Sequence, residues 1–113
     1  MTGLLDAPVL EQAHLPVRAG EEAAFEAAMA EAVPLVSGIP GFRGIHVSRG
    51  VERPGTYLLL IGWDSVGAHE AGFRASPQYT RWRELLHHFY EPFPVVEHSC
   101  PFRSNVLASN LAA

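Results

Sequence analysis

Residues 57–63 read Tyr57-Leu58-Leu59-Leu60-Ile61-Gly62-Trp63. Successive side chains of a strand point to opposite faces, so a sheet with one wet face shows apolar and polar residues in alternation. This run does not alternate, because Leu58 and Leu60 are as apolar as Tyr57, Leu59 and Ile61. It reads as a strand that needs cover on both faces. The segment before it, Val51-Glu52-Arg53-Pro54-Gly55, is turn chemistry, with adjacent Pro and Gly breaking either ladder. Residues 42–50 then form the preceding strand, with Phe42 and His46 on one face and Ile45 and Val47 on the other.

Working outward, the period changes on either side. Phe25, Ala28, Met29, Ala32, Val33 and Val36 recur at helical spacing, while Glu22, Glu26 and Glu31 fall off that stripe. A helix starting near residue 21 follows, with acidic residues early, where the helix dipole favours them. Pro34 is expected to kink its last turn, and Ser37-Gly38-Ile39-Pro40-Gly41 to end it. Residues 9–17 read as a first strand. Beyond Trp63, Asp64 or Ser65 is expected to cap a short helix to about residue 75. Ser76-Pro77 then restarts helix as N-cap and first helical residue. Tyr79, Trp82, Leu85, Leu86 and Phe89 form its buried stripe, Pro92 and Pro94 stop it, and residues 95–102 supply a last strand.

The order is strand, helix, strand, strand, helix, strand. That is an α+β, ferredoxin-like split βαβ arrangement: a four-stranded antiparallel sheet with both helices on one face. Residues 1–8 are an N-terminal extension, 9–103 the domain, and 104–113 a C-terminal tail, loose or docked on a neighbour. No segment is left to cover the second face of residues 57–63, and a second copy of the sheet is the economical cover. The expectation is a homodimer packed face to face.

Composition narrows the function. At 113 residues the chain has room for one domain. Its net charge of −4 without a basic run argues against nucleic acid. All eight basic residues are arginine, which removes Schiff-base lysines and Walker-type phosphate loops. Cys100 is the single cysteine, so an intrachain disulfide and a thiolate zinc cluster are excluded, and it reads as a small strand residue. No apolar run is long enough for a membrane span, and residues 1–6 do not resemble a secretion signal. A cytoplasmic enzyme or binding domain is the expectation.

On these elements the chain resembles the antibiotic biosynthesis monooxygenase (ABM) family. The residues that carry the resemblance are Ile39-Pro40-Gly41-Phe42, Trp63-Asp64-Ser65, Ala68-His69-Glu70-Ala71 and Phe73-Arg74-Ala75-Ser76-Pro77-Gln78-Tyr79. The resemblance implies two sheets closing into a dimeric α+β barrel. It spans several chemistries: oxygenation of quinol- or anthrone-like aromatics without metal or flavin, haem degradation, and handling of small quinol-like molecules. The haem-degrading branch carries a Trp, a haem-ligating His and an Asn. Here those positions hold Gly72 or Phe73, Trp82 or Arg83, and Gln12 or Ala13, so none matches. The polyketide-oxygenating branch carries Asn, then Trp four residues on, then Tyr six further. This chain has His69, Phe73 and Tyr79 at those spacings.

The candidate catalytic pair is therefore His69, able to accept a proton near neutral pH, and Tyr79, able to orient a phenolic oxygen. Phe73, Trp82, Trp63 and His46 are the candidate substrate-binding residues, although Phe73, Tyr79 and Trp82 would equally suit a plain core. His14, like His46, is a candidate second polar group in the same cavity. Arg43 and Arg83 are candidates for an acidic substituent or for plain solvated charge. No metal site is expected: His87 and His88 point about 100° apart on a helix, and no HxH or HxxxH spacing occurs, while His14, His46 and His98 sit on three different strands and are left open as a set that could converge. The expectation is a cofactor-independent monooxygenase acting on a small aromatic. The alternative is a non-catalytic dimer that binds a small apolar ligand.

Overall fold

The computed structural model describes residues 3–102. Its elements are β1 (Val9–Pro16), α1 (Glu22–Ser37), β2 (Phe42–Arg49), β3 (Thr56–Trp63), a π-helical segment (Ala68–Phe73), α2 (Pro77–Leu86), a 3-10 turn (His87–Phe89) and β4 (Glu97–Ser99). The sheet order is β2-β3-β1-β4, with every neighbouring pair antiparallel. This is the α+β, ferredoxin-like arrangement expected from the order of elements.

The core lies between one sheet face and the two helices. α1 contributes Phe25, Met29, Ala32 and Val36, spaced as one helical stripe. α2 contributes Trp82 and Leu86, and the turn after it Phe89. The sheet answers with Ala13 and Leu15 from β1 and with Tyr57, Leu59, Ile61 and Trp63 from β3. α1 continues through Pro34 to Ser37. Ser76 caps α2 as expected, its hydroxyl accepting the Tyr79 N–H at 3.2 Å with Pro77 in the first turn.

Three expectations change. In β2 the pairing shifts register between Phe42 and Gly44, so Arg43 is an extra residue. A bulge of this kind reverses the parity of what precedes it. Phe42 therefore shares the core side with Ile45 and Val47, and His46 lies on the opposite face, paired with Leu60. The segment after β3 is a wide turn, not a regular helix: Ser65 Oγ accepts the Ala68 N–H at 3.0 Å, and Arg74 N–H bonds His69 O, five residues back, at 3.0 Å. Asp64 does not cap it but pairs with Arg43. β4 keeps only three residues of the strand expected over 95–102. Pro94 and Pro101, which lack an N–H to donate, bracket the short stretch that can pair.

The outer face of the sheet carries Leu10, Gln12, His14, Leu58 and Leu60, with Leu58 and Leu60 half-buried. Residues 3–8 cover one end of it. Leu4 and Ala7 pack where Gly44 and Gly62 pair across β2 and β3, and a Cβ on Gly62 would stand 2.9 Å from Ala7 Cβ. So the chain supplies part of this cover itself, contrary to the expectation that nothing was left over. The tail expected over 104–113 lies outside the described residues.

Candidate functional site

The π-helical segment decides the site. His69 and Phe73, four residues apart and so on one face of the turn, are its two buried residues. Gly41 allows the segment to sit this close to the start of β2. Its φ is +90°, and a Cβ there would stand 2.7 Å from Ala68 Cβ, next to His69.

His69 enters beneath the sheet with only 2% of its surface exposed. Its ring stacks on the Trp63 indole, centroids 5.5 Å apart and planes 17° from parallel. Nδ1 lies 2.8 Å from Nε2 of His98 on β4, and Nε2 lies 3.4 Å from Oε1 of Glu11 on β1. The same Glu11 oxygen accepts the Trp63 indole N–H at 2.8 Å. Glu11 and His98 are cross-strand partners in the β1–β4 ladder, which places both side chains on the core face.

Below this group lies a cavity of about 80 Å³, walled by Glu11, His69, Phe73, Arg74, Tyr79 and Trp82 among others. Phe73 is its aromatic hub, with ring centroids 5.2 Å from Tyr79 and 5.4 Å from Trp82, both edge-on. Phe93 and Pro94, from the loop leading to β4, close the far side, and Phe93 is exposed.

Burial governs the protonation of the pair. It lifts the Glu11 carboxyl to about 7, against the lowering pull of the Trp63 N–H and the Arg74 charge. It also depresses His69 to about 4, with the positive charges of Arg74 and His98 acting in the same direction. The 3.4 Å approach of His69 to Glu11 is therefore not a contact between two full charges at neutral pH. His87, at the cavity rim, is lowered by burial and by Arg83.

Of the residues anticipated from sequence, His69, Phe73, Tyr79 and Trp82 meet on this one cavity. Trp63 does not border it. Fully buried, it stands behind Glu11 and His69 and fixes both. His46 is not part of the group, because the β2 bulge turns it to the other sheet face, where His14 also lies. Thus His14, His46 and His98 do not converge. Arg43 is engaged by Asp64, and Arg83 is exposed on α2. Cys100 is exposed. Among the described residues no three His, Cys, Asp or Glu side chains are placed to share a metal ion.

Glu11 and Arg74 were not singled out as site residues, and His98 was considered only as a partner of His14 and His46, not of His69. One signal for Glu11 was present: positions 9, 11, 13, 15 and 17 alternate onto one face, and Glu11 is the only charged residue in that row. Nothing local marks His98, whose role depends on pairing with Glu11, 87 residues away in sequence.

The family model described as antibiotic biosynthesis monooxygenase matches residues 8–85. The chain belongs to the antibiotic biosynthesis monooxygenase family. Among its relatives is the uncharacterized protein YczJ of Bacillus subtilis (strain 168), 43% identical over 90 residues that cover 80% of this chain and 95% of YczJ. A crystal structure from Bordetella bronchiseptica, provisionally named an antibiotic biosynthesis monooxygenase, superposes with a TM-score of 0.80 at 34% identity, covering 83% of this chain and 96% of that one. A conserved protein of Methanosarcina mazei Go1 shares the fold at a TM-score of 0.75 with 13% identity, over 88% of this chain and 97% of its own. The match of the family model includes Glu11, His69, Phe73, Tyr79 and Trp82 but ends before His98. No helix among the described residues is long and apolar enough to cross a membrane.

Proposed function

We propose that this ABM-family chain is a cytoplasmic, homodimeric, cofactor-independent monooxygenase that oxidises a small electron-rich phenol of the quinol or anthrone kind. The observation that carries this reading is the cavity itself, in which hydrogen-bonding groups (Glu11, His69, Tyr79) face aromatic walls (Phe73, Trp82). Such an oxidation asks the protein for a proton acceptor, a donor to the phenolate oxygen, and exclusion of water. Loss of the phenolic proton makes the substrate able to pass one electron to O2. The substrate radical and superoxide then join to form a carbon–oxygen bond. Protonation of the peroxide and loss of water leave a carbonyl, so that a CH2 and O2 become C=O and H2O. His69 stands on the proton-accepting side, and Tyr79 O–H donates to the phenolate.

At about 80 Å³ the cavity is smaller than the ~150 Å³ that benzene occupies in an engineered apolar cavity. Admission of a ring therefore requires some of its walls to move apart. Oxygen uptake by the metal-free protein with a panel of anthrones and hydroquinones tests the reading. Turnover is expected, falling ~100-fold or more in His69→Ala and ~10-fold or more in Tyr79→Phe. Full rates in both variants would remove these residues from the reaction. No uptake across the panel would overturn the enzyme in favour of a dimer that only binds an apolar ligand.

The homodimer rests on the outer sheet face, where Leu58 and Leu60 are half-buried and, among the described residues, no α-helix packs. Burying them against a second copy removes apolar area from water at roughly 25 cal/mol per Å². Light scattering should give about twice the chain mass of 12.3 kDa, and Leu60→Glu should give one chain mass with the fold retained. A wild-type mass of one chain at micromolar concentration would sink the dimer.

A further inference from the structure

The cavity, the two histidines and the buried carboxylate are not independent features. Glu11 borders the cavity, with Oε1 already held by the Trp63 indole, so Oε2 is the oxygen left to meet a substrate. His69 cannot be a resting place for a proton: it is enclosed, its Nδ1 is hydrogen-bonded to His98, and its Nε2 faces Glu11 Oε1 at 3.4 Å, a gap that closes only when the carboxyl turns. His98 is half-buried on β4, the edge strand, and is the member of the group nearest solvent. The three side chains thus form a continuous line from cavity to sheet edge, with steps of 3.4 Å and 2.8 Å.

We propose that Glu11, His69 and His98 form a proton relay, in which Glu11 takes the proton from the substrate, His69 conducts it and His98 exchanges it with solvent. This rests on the oxidation proposed above and supplies its proton path. The relay starts with Glu11 ionised and with both histidines carrying hydrogen on Nδ1. The substrate O–H bond breaks and an O–H bond forms on Glu11. A half-turn of the carboxyl presents that hydrogen to His69 Nε2. His69 Nδ1–H passes its proton to His98 Nε2, and His98 Nδ1–H releases one to water. Glu11 is again ionised, and both histidines now carry hydrogen on Nε2. Protonation of the peroxide then runs the line backward: water protonates His98 Nδ1, each hydrogen moves one step inward, and Glu11 delivers a proton. The tautomers return to their starting state, and the cycle consumes no net proton, as the overall reaction requires.

The chemistry of each member suits its place. Burial holds Glu11 at about 7, near the pH at which a general base is most effective. Burial also holds His69 at about 4, so that it conducts through its neutral form and does not trap charge. The other titratable or charged neighbours acting on the pair are Arg74, at the end of the π-helical segment, and His98 itself. Trp63 stacks on the His69 ring, and its indole N–H donates to the Glu11 oxygen that faces it, a bond that passes from one carboxyl oxygen to the other in the half-turn.

The test combines turnover with a measurement that needs none. With an oxidised substrate, Glu11→Gln should lower kcat ~100-fold or more. His98→Gln should lower kcat ~10-fold with KM unchanged, and added imidazole should restore it. Full kcat in His98→Gln, with the wild-type pH profile, would overturn the relay while leaving the monooxygenase standing. If no substrate of the panel is oxidised, nitrogen NMR of the imidazoles still decides. The starting state requires His69 in the substrate-free protein to carry hydrogen on Nδ1 with Nε2 bare at about pH 8, where Glu11 is ionised. Hydrogen on His69 Nε2 with Nδ1 bare under those conditions would overturn the relay, because Glu11 would then have no bare nitrogen to pass its proton to.

Discussion

Trp63→Ala should lower the stability of the fold by about 3–5 kcal/mol, the range for truncating a large aromatic in a packed core. Trp63 has no exposed surface, and its indole touches the rings of Phe42, His69 and Phe73 at centroid distances of 6.1, 5.5 and 5.9 Å. Its loss removes that packing together with the N–H held by Glu11 at 2.8 Å. Trp63→Phe separates the two contributions. It keeps most of the apolar volume but leaves Glu11 Oε1 without its donor, so the Glu11 carboxyl should move above its present value of about 7. Urea unfolding measures the first effect and a pH titration of the Glu11 carboxyl signal the second. A cost below about 1 kcal/mol for Trp63→Ala would contradict the packing described.

The second large effect concerns pH. Glu11 moves from 4.5 in the unfolded chain to about 7 in the fold. Between those values the folded state keeps a proton that the unfolded chain has released, so this group makes stability fall as pH rises. His69 moves the other way, from 6.5 to about 4. Between those values the unfolded chain holds a proton that the folded state excludes, so this group makes stability rise with pH. Each amounts to about 3 kcal/mol across its window, and the two oppose one another where the windows overlap, from roughly pH 4.5 to 6.5. Glu11→Gln removes one side of this balance while retaining a side-chain oxygen for the Trp63 N–H. The variant's stability, measured against wild type, should therefore climb by about 3 kcal/mol as pH rises from 4.5 to 7. Two parallel curves would show that Glu11 is not held neutral by the fold.

The β2 bulge illustrates where reading from sequence stops. Strict alternation places Phe42 and His46 together, and that rule fails because Arg43 is inserted opposite a single position of β3. An inserted residue is a property of two paired strands, so one strand read alone does not reveal it. The cost of that reading was His46, assigned to a cavity on the wrong side of the sheet. The π-helical segment worked the other way. Family-like spacing placed His69, Phe73 and Tyr79 together, and they do meet, but that the backbone between 68 and 73 is π-helical has no mark in the periodicity.

Glu11 was legible in part, as a carboxylate in an apolar row, yet its partners were not. Trp63 lies 52 residues away and reaches it diagonally across the β1–β3 pair, and His69 arrives from a separate segment. Local patterning determines which residues form helix or strand, since propensity, capping and hydrophobic period act over a few positions. By itself the sequence therefore determined the order of elements, the antiparallel sheet with helices on one face, the Ser76 cap, and the need of residues 57–63 for apolar cover on both faces. Tertiary structure decided the rest: the parity of β2, the cover of Gly44 and Gly62 by residues 4–7, and the line from Glu11 through His69 to His98. The reason is physical. A shared proton or a stacked ring is fixed by distances of a few ångströms between segments far apart in the chain, and only the packed sheet sets those distances.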